Sequence, residues 1–111
     1  MQVAELTYRV TSQLPISERV GLYAQMRRSS VSIGSNISEG CGRSSDAQFC
    51  SFLQIAMGSA CELEFQTRLA RRLSLAPPGD LQLLEDAITA TKRMLAKLTV
   101  SVRARVTRRT P

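Results

Sequence analysis

Apolar residues recur at steps of three and four in four separate stretches of this chain, and that spacing predicts four amphipathic helices. In the first stretch Val3, Leu6, Val10 and Leu14 share one face, so a helix is expected from about Val3 to Leu14. Pro15 should end it, because the residue before a proline is pushed out of the helical region. Ser17 reads as the N-cap of a second helix, expected from about Glu18 to Glu39 on the spacing of Val20, Tyr23, Met26, Ser30, Ile33 and Ile37. Ser45 with Gln48 three residues on makes a capping box. The third helix starts there and carries Phe49, Phe52, Leu53, Ala56, Ala60, Leu63, Thr67 and Ala70 on its inner face. Pro77, Pro78 and Gly79 form the clearest break in the chain. Beyond them Asp80 reads as a cap, and Leu81, Leu84, Ile88, Thr91, Leu95, Leu98 and Val102 make a heptad seam.

The second half of the second stretch is unusual, since Ser29, Ser30, Ser32, Gly34, Ser35, Asn36 and Ser38 are small and mostly polar. Such residues are weak helix formers, yet Val31, Ile33 and Ile37 argue for continuing the helix. Their small side chains would also let a neighbouring helix approach closely, as would Ala56, Gly58, Ser59 and Ala60 in the third stretch. Gly40 and Gly42 are expected stops, because glycine accepts the left-handed conformation at a helix end. Short connections between helices of this length force antiparallel neighbours. The expected fold is therefore all-α, an antiparallel up-down-up-down four-helix bundle over residues 1–103, with a basic tail without fixed structure over residues 104–111. The first helix is the shortest, so part of the third should lie uncovered and invite self-association.

Composition agrees with helices: hydrophobic residues are 43% of the 111 positions, aromatics only 5%, and tryptophan is absent. The net charge of +6 is unevenly placed. From Lys92 onward there are seven basic residues and no acid, whereas residues 1–91 hold eight basic and nine acidic groups. A basic end attracts phosphate or an acidic protein surface. For Lys92, Arg93 and Lys97 the negative end of the last helix is reason enough for the positive charge. It is less adequate for Arg105, Arg108 and Arg109, which are expected at or beyond the helix end. Three cysteines without a C-x-x-C pair, and the lack of a long apolar run, point to a soluble chain in a reducing cytoplasm, with no membrane partner.

The run from Arg27 to Gly40, RRSSVSIGSNISEG, resembles the signature of the bacterial four helix bundle protein family. That family includes proteins encoded in intervening sequences of large-subunit ribosomal RNA genes and the accessory variability protein of diversity-generating retroelements. The stretch from Gln48 to Ser59, the Glu62-Leu63-Glu64 that follows it, and Gly21, Leu22 and Gln25 match as well, so the likeness covers roughly residues 6–100 in order. Gly34 stands where the family often has proline, and the family usually has more sequence before its first helix. The resemblance implies a four-helix bundle that assembles as a homo-oligomeric ring of five subunits. It also implies a nucleic-acid-related role, with RNA, DNA or a reverse transcriptase as partner.

Catalysis finds little support. Without histidine the chain lacks the commonest general base and the commonest metal ligand, and Glu-x-x-His metal pairs cannot form. No phosphate-cradling glycine loop is present. The chain is expected to be no enzyme and to need neither cofactor nor metal. Arg27, Arg28 and Arg43 in the body and Arg105, Arg108 and Arg109 at the end are the candidate phosphate contacts. Against these stands the ordinary reading of a solvated face, which also suits Arg68, Arg71 and Arg72. Asn36, Glu39 and Glu62 are expected to make structural polar contacts, the acids pairing with Arg27, Arg28 or Arg43. Two functions follow: an oligomeric module that binds nucleic acid or a nucleic-acid enzyme, or a structural, protein-binding ring without that role.

Overall fold

In the computed structural model, which describes residues 2–43 and 45–109, the chain is all-α. Four α-helices make a bundle: α1 (Gln2–Thr11), α2 (Ala24–Cys41), α3 (Asp46–Arg72) and α4 (Pro78–Arg109). Its extents of 55 × 22 × 18 Å fit two helix diameters in cross-section and the length of α4 along the axis. The heptad seam of the sequence is the core. Leu81, Leu84, Ile88, Leu95 and Val102 of α4 are buried with Leu53, Ala56, Ala60, Leu63 and Ala70 of α3. Met26 and Ile33 of α2 and Val3 and Val10 of α1 complete it. Three core threonines satisfy their hydroxyls on their own helices: Thr7 donates to the Val3 carbonyl, Thr11 to Thr7 and Thr67 to Leu63, at 2.7–2.8 Å.

Helix boundaries depart from expectation where local chemistry intervenes. α1 stops at Thr11, and Ser12, Gln13 and Leu14 form a turn in which Leu14 is still buried. Ser17 does not cap the α-helix. It lies in a 3-10 turn (Ile16–Glu18), followed by a π-helical turn (Arg19–Tyr23) that leads into α2 without a side-chain cap. The serine- and glycine-rich half of α2 stays helical through Gly34 and Gly40. Gly40 is therefore no stop: it is buried in α2, where a Cβ would come within 2.7 Å of the Phe49 ring and 3.0 Å of Phe52 Cβ on α3. Gly42 does cap α2, but in a right-handed conformation (φ −83°). The left-handed residue is Ser74, with φ 54°. Leu75 N–H donates to the Ala70 carbonyl and Ser74 N–H to Arg71, which is the Schellman pattern that ends α3.

At the start of α3 the Ser45 hydroxyl accepts from the Gln48 N–H at 3.2 Å, as the capping box predicts. α4 begins at Pro78, two residues before the expected cap, and proline suits a first helical position because its missing N–H would be unpaired there anyway. Asp80 instead lies in the first turn and accepts from Gln13. At its other end α4 does not fray near Arg103. It continues through Arg109, so most of the expected tail over 104–111 is helix, and residues 110–111 lie outside the described part. Among the described residues no helix is long and apolar enough to cross a membrane.

Candidate binding surfaces

The six arginines singled out from the sequence do not gather into one site. Arg27 is half-buried and held in place: its guanidinium lies between the rings of Tyr8 (4.1 Å) and Tyr23 (4.0 Å), and its Nε donates to Thr11 at 2.8 Å. Stacking on two rings and a hydrogen bond make it a strut between α1 and α2. Arg28, its neighbour, is exposed and unpaired among the described residues. Arg43, just past the end of α2, pairs with Glu39 on that helix at 3.0 Å and covers the Phe52 ring. Arg105 reaches Asp46 at the start of α3, at 3.4 Å. Arg108 is exposed, and the side chain of Arg109 lies outside the described part.

The extension of α4 changes the meaning of the other cations. Arg93 and Lys97 stand in mid-helix, several turns from its end. A helix terminus acts only over its last turn, so it gives no reason for them. Arg93, Lys97, Arg103 and Arg108 are all exposed, and none has an ion-pair or hydrogen-bond partner among the described residues. At about 100° per residue, Arg93, Lys97 and Arg108 project within about 60° of one another over about 22 Å of helix. Lys92, by contrast, turns toward α3 and pairs with Glu64 at 3.1 Å.

Glu64 also lies 3.7 Å from Arg68, and Glu85 is held by Arg71 at 2.8 Å and Arg68 at 3.8 Å. The α3–α4 contact is thus flanked by ion pairs, and the expected pairing of acids with Arg27 or Arg28 does not occur. Of the expected structural polar contacts, Glu39 has Arg43, but Glu62 is exposed with no partner among the described residues. Asn36 serves the close contact between α2 and α3. Its Nδ2 donates to the Ser32 carbonyl (2.8 Å) and hydroxyl (3.1 Å), and the Ser32 hydroxyl meets Ser59 of α3 at 2.7 Å.

Two apolar surfaces remain uncovered. Because α1 is short, a groove of about 1090 Å3 opens beyond its first residues, lined by Val31, Ile33 and Ile37 of α2 and by Ala87, Ala90 and Met94 of α4. Ile55, Phe65 and Leu69 of α3 and Leu73 at its C-cap are exposed, Phe65 to 67%. With Gly58 and Glu62 between them, most of these follow a three-four step, so they form a stripe along one outer face. A smaller cavity of about 310 Å3 lies between α2 and α3 and includes Arg28, Glu62 and Gln66. The sequence passes over Gln66 and Arg103 and assigns Arg93 and Lys97 to a helix end that lies several turns away. Gln66 shares the helical phase of Leu63 and Ala70, and a glutamine at a core position was the signal that could have marked it. Cys50 is buried, Cys41 and Cys61 are exposed, and no three Cys, Asp or Glu side chains among the described residues come together to hold a metal ion.

The comparison with known proteins agrees with this architecture. A solved structure of a protein of unknown function from the S23 ribosomal protein family of Bacteroides thetaiotaomicron superposes with a TM-score of 0.71 over 87% of this chain and 97% of that one. The two are 23% identical, so the likeness is one of fold. No curated protein matches the chain. The family model described as 23S rRNA-intervening sequence protein matches residues 1–97, and the chain belongs to that family.

Proposed function

We propose that this chain is a non-enzymatic assembly module: an up-down-up-down antiparallel bundle whose copies close into a ring, and whose basic face binds nucleic acid or a nucleic-acid-processing partner. The observation that carries the nucleic-acid part is the outer side of α4, where Arg93, Lys97 and Arg108 are exposed and, among the described residues, unpaired, in a stretch without acids, with Arg103 exposed and unpaired on its flank. Cations of this kind gain most from polyanions, because each phosphate they neutralise releases a bound counterion. With no aromatic residue between Tyr23 and Phe49 or beyond Phe65, the readout is of backbone charge, not of stacked bases. The family's name, from intervening sequences of 23S rRNA, supports a link to nucleic acid.

The assembly part rests on the two uncovered apolar surfaces. The α3 stripe is convex and the α2–α4 groove concave, so they complement each other and not themselves. That relation suits a head-to-tail interface, which closes into a ring when the rotation between copies permits; five subunits is the number the family resemblance implies. Working in the cytoplasm, such a ring would present α4 repeatedly. The competing reading, a protein-binding ring without nucleic acid, draws on the near-neutral balance of residues 1–91.

The test is a titration of the oligomer, its mass fixed by light scattering, against structured RNA and duplex DNA across a range of salt. Submicromolar binding at low salt with a steep linear loss in log affinity against log salt is expected. A well-formed oligomer that binds neither at low salt would turn the account to the protein-binding ring.

A further inference from the structure

The cations on the outer side of α4 are unevenly spaced. Arg93 and Lys97 lie one turn apart, about 6 Å along the axis, and Arg108 follows only after about 16 Å more. Between them this side carries Val100, Ser101 and Ala104, all exposed, short and uncharged. A continuous α-helix, with Leu95 and Val102 buried on its inner side, fixes that spacing. The Thr99 and Thr107 hydroxyls are turned back onto the Leu95 and Arg103 carbonyls, whereas that of Ser101 has no partner among the described residues.

We infer that α4 lies across the minor groove of double-helical RNA, with Arg93 and Lys97 on one phosphate backbone, Arg108 on the other and Ser101 over the groove between them. The inference rests on the proposal that α4 binds nucleic acid, and it names the kind. Single strands are held in basic grooves lined by aromatic rings; here the cations stand on a convex helix without an aromatic residue. Two groups of cations separated by a gap match two backbones instead. The gap also decides which duplex. The deep major groove of B-DNA is read by long side chains that reach base edges, and none stands between Lys97 and Arg108 on this side. Its minor groove, about 6 Å wide, is narrower than a helix of about 10–12 Å. The minor groove of A-form RNA is wide and shallow and displays 2′-hydroxyls. Short residues let the helix rest on it, and the Ser101 hydroxyl, which can donate or accept, meets a sugar hydroxyl that DNA lacks.

The experiment is fluorescence anisotropy of the full chain, at one low salt concentration, with a labelled RNA duplex, a DNA duplex of the same sequence and length, and single-stranded RNA. Duplex RNA is expected to bind about tenfold tighter than either of the others. Ala104→Arg combined with Arg108→Ala keeps the net charge and brings the far cation one turn closer. Affinity for duplex RNA should then fall about tenfold, with that for single-stranded RNA unchanged. Ser101→Ala, at an exposed position where alanine is the better helix former, should weaken duplex RNA a few-fold and leave DNA as it was. Circular dichroism confirms that both variants are folded. Duplex RNA bound no better than DNA or single strands overturns the inference and leaves nucleic-acid binding standing, as does a relocated cation without effect. Failure of a well-folded chain to bind any of the three removes nucleic-acid binding by α4 itself, and the inference with it.

Discussion

Helix α3 makes two long contacts, and they are built on different principles. Toward α4 it presents leucines to a heptad seam, flanked by Glu64–Lys92, Arg71–Glu85 and Asp46–Arg105. Toward α2 it presents Phe49 and Phe52 together with small and polar residues such as Ser59 and Gln66. The matching features there are a bare glycine under two phenylalanines, a pair of hydroxyls and a polar cavity, with no ion pair between the two helices among the described residues. The first contact is many apolar increments, each roughly proportional to the area it removes from water. The second depends on distance: small side chains bring two backbones close, and a single added methyl is felt. Stability therefore comes mostly from the α4 side, while the α2 side sets geometry and leaves chemistry exposed.

The contrast breaks first at the leucines. Leu84→Ala, at a fully buried position, should cost about 2–5 kcal/mol in denaturant unfolding; a loss below 1 kcal/mol would mean that the seam can collapse around the gap. Gly40→Ala should cost about 1–3 kcal/mol through overpacking against Phe49 and Phe52, although alanine is the better helix former. Gly34→Ala is its control. Nothing lies within 4 Å of a Cβ there, so the same change should stabilise by about 0.5–1 kcal/mol. Equal signs for the two glycines would contradict the distance argument. Ser74→Gly should stabilise by about 1 kcal/mol, because the left-handed conformation at φ 54° is costly for a residue with a Cβ; thermal unfolding reads it. The smallest effect belongs to the ion pairs. A double-mutant cycle on Arg71 and Glu85 should return a coupling of about 0.2–1 kcal/mol that shrinks with salt, since Arg71 is well exposed.

The two contacts were also unequally legible. The α4 seam could be read residue by residue, because a heptad of leucines at steps of three and four has one plausible inner face. In α2 the periodicity of Met26, Ser30 and Ile33 rightly carried the helix through Gly34, against propensity. The role of Gly40 was misread, since a close approach depends on what the partner helix presents, and Phe49 and Phe52 lie in another segment. The left-handed helix end falls at Ser74, where the Schellman hydrogen bonds close, and the sequence offers no glycine between Gly58 and Gly79 to mark it. Among the candidate contacts, Arg27 looked like Arg28 in sequence. Only the fold placed two tyrosine rings against the first and left the second free. The basic run at the end of the chain was plain from composition. That it continues one helix, with Arg93 and Lys97 beyond the reach of the helix terminus, depended on where α4 stops.

The central claim is that the outer face of α4 binds polyanions. Its most direct test is a charge reversal of Arg93, Lys97 and Arg108 to glutamate, with circular dichroism and light scattering to confirm an intact oligomer, and a structured-RNA binding titration at low salt. The account predicts loss of binding by two orders of magnitude or more and a flatter salt dependence, with Arg27→Gln affecting stability instead. RNA affinity and salt slope unchanged by the reversal would contradict it.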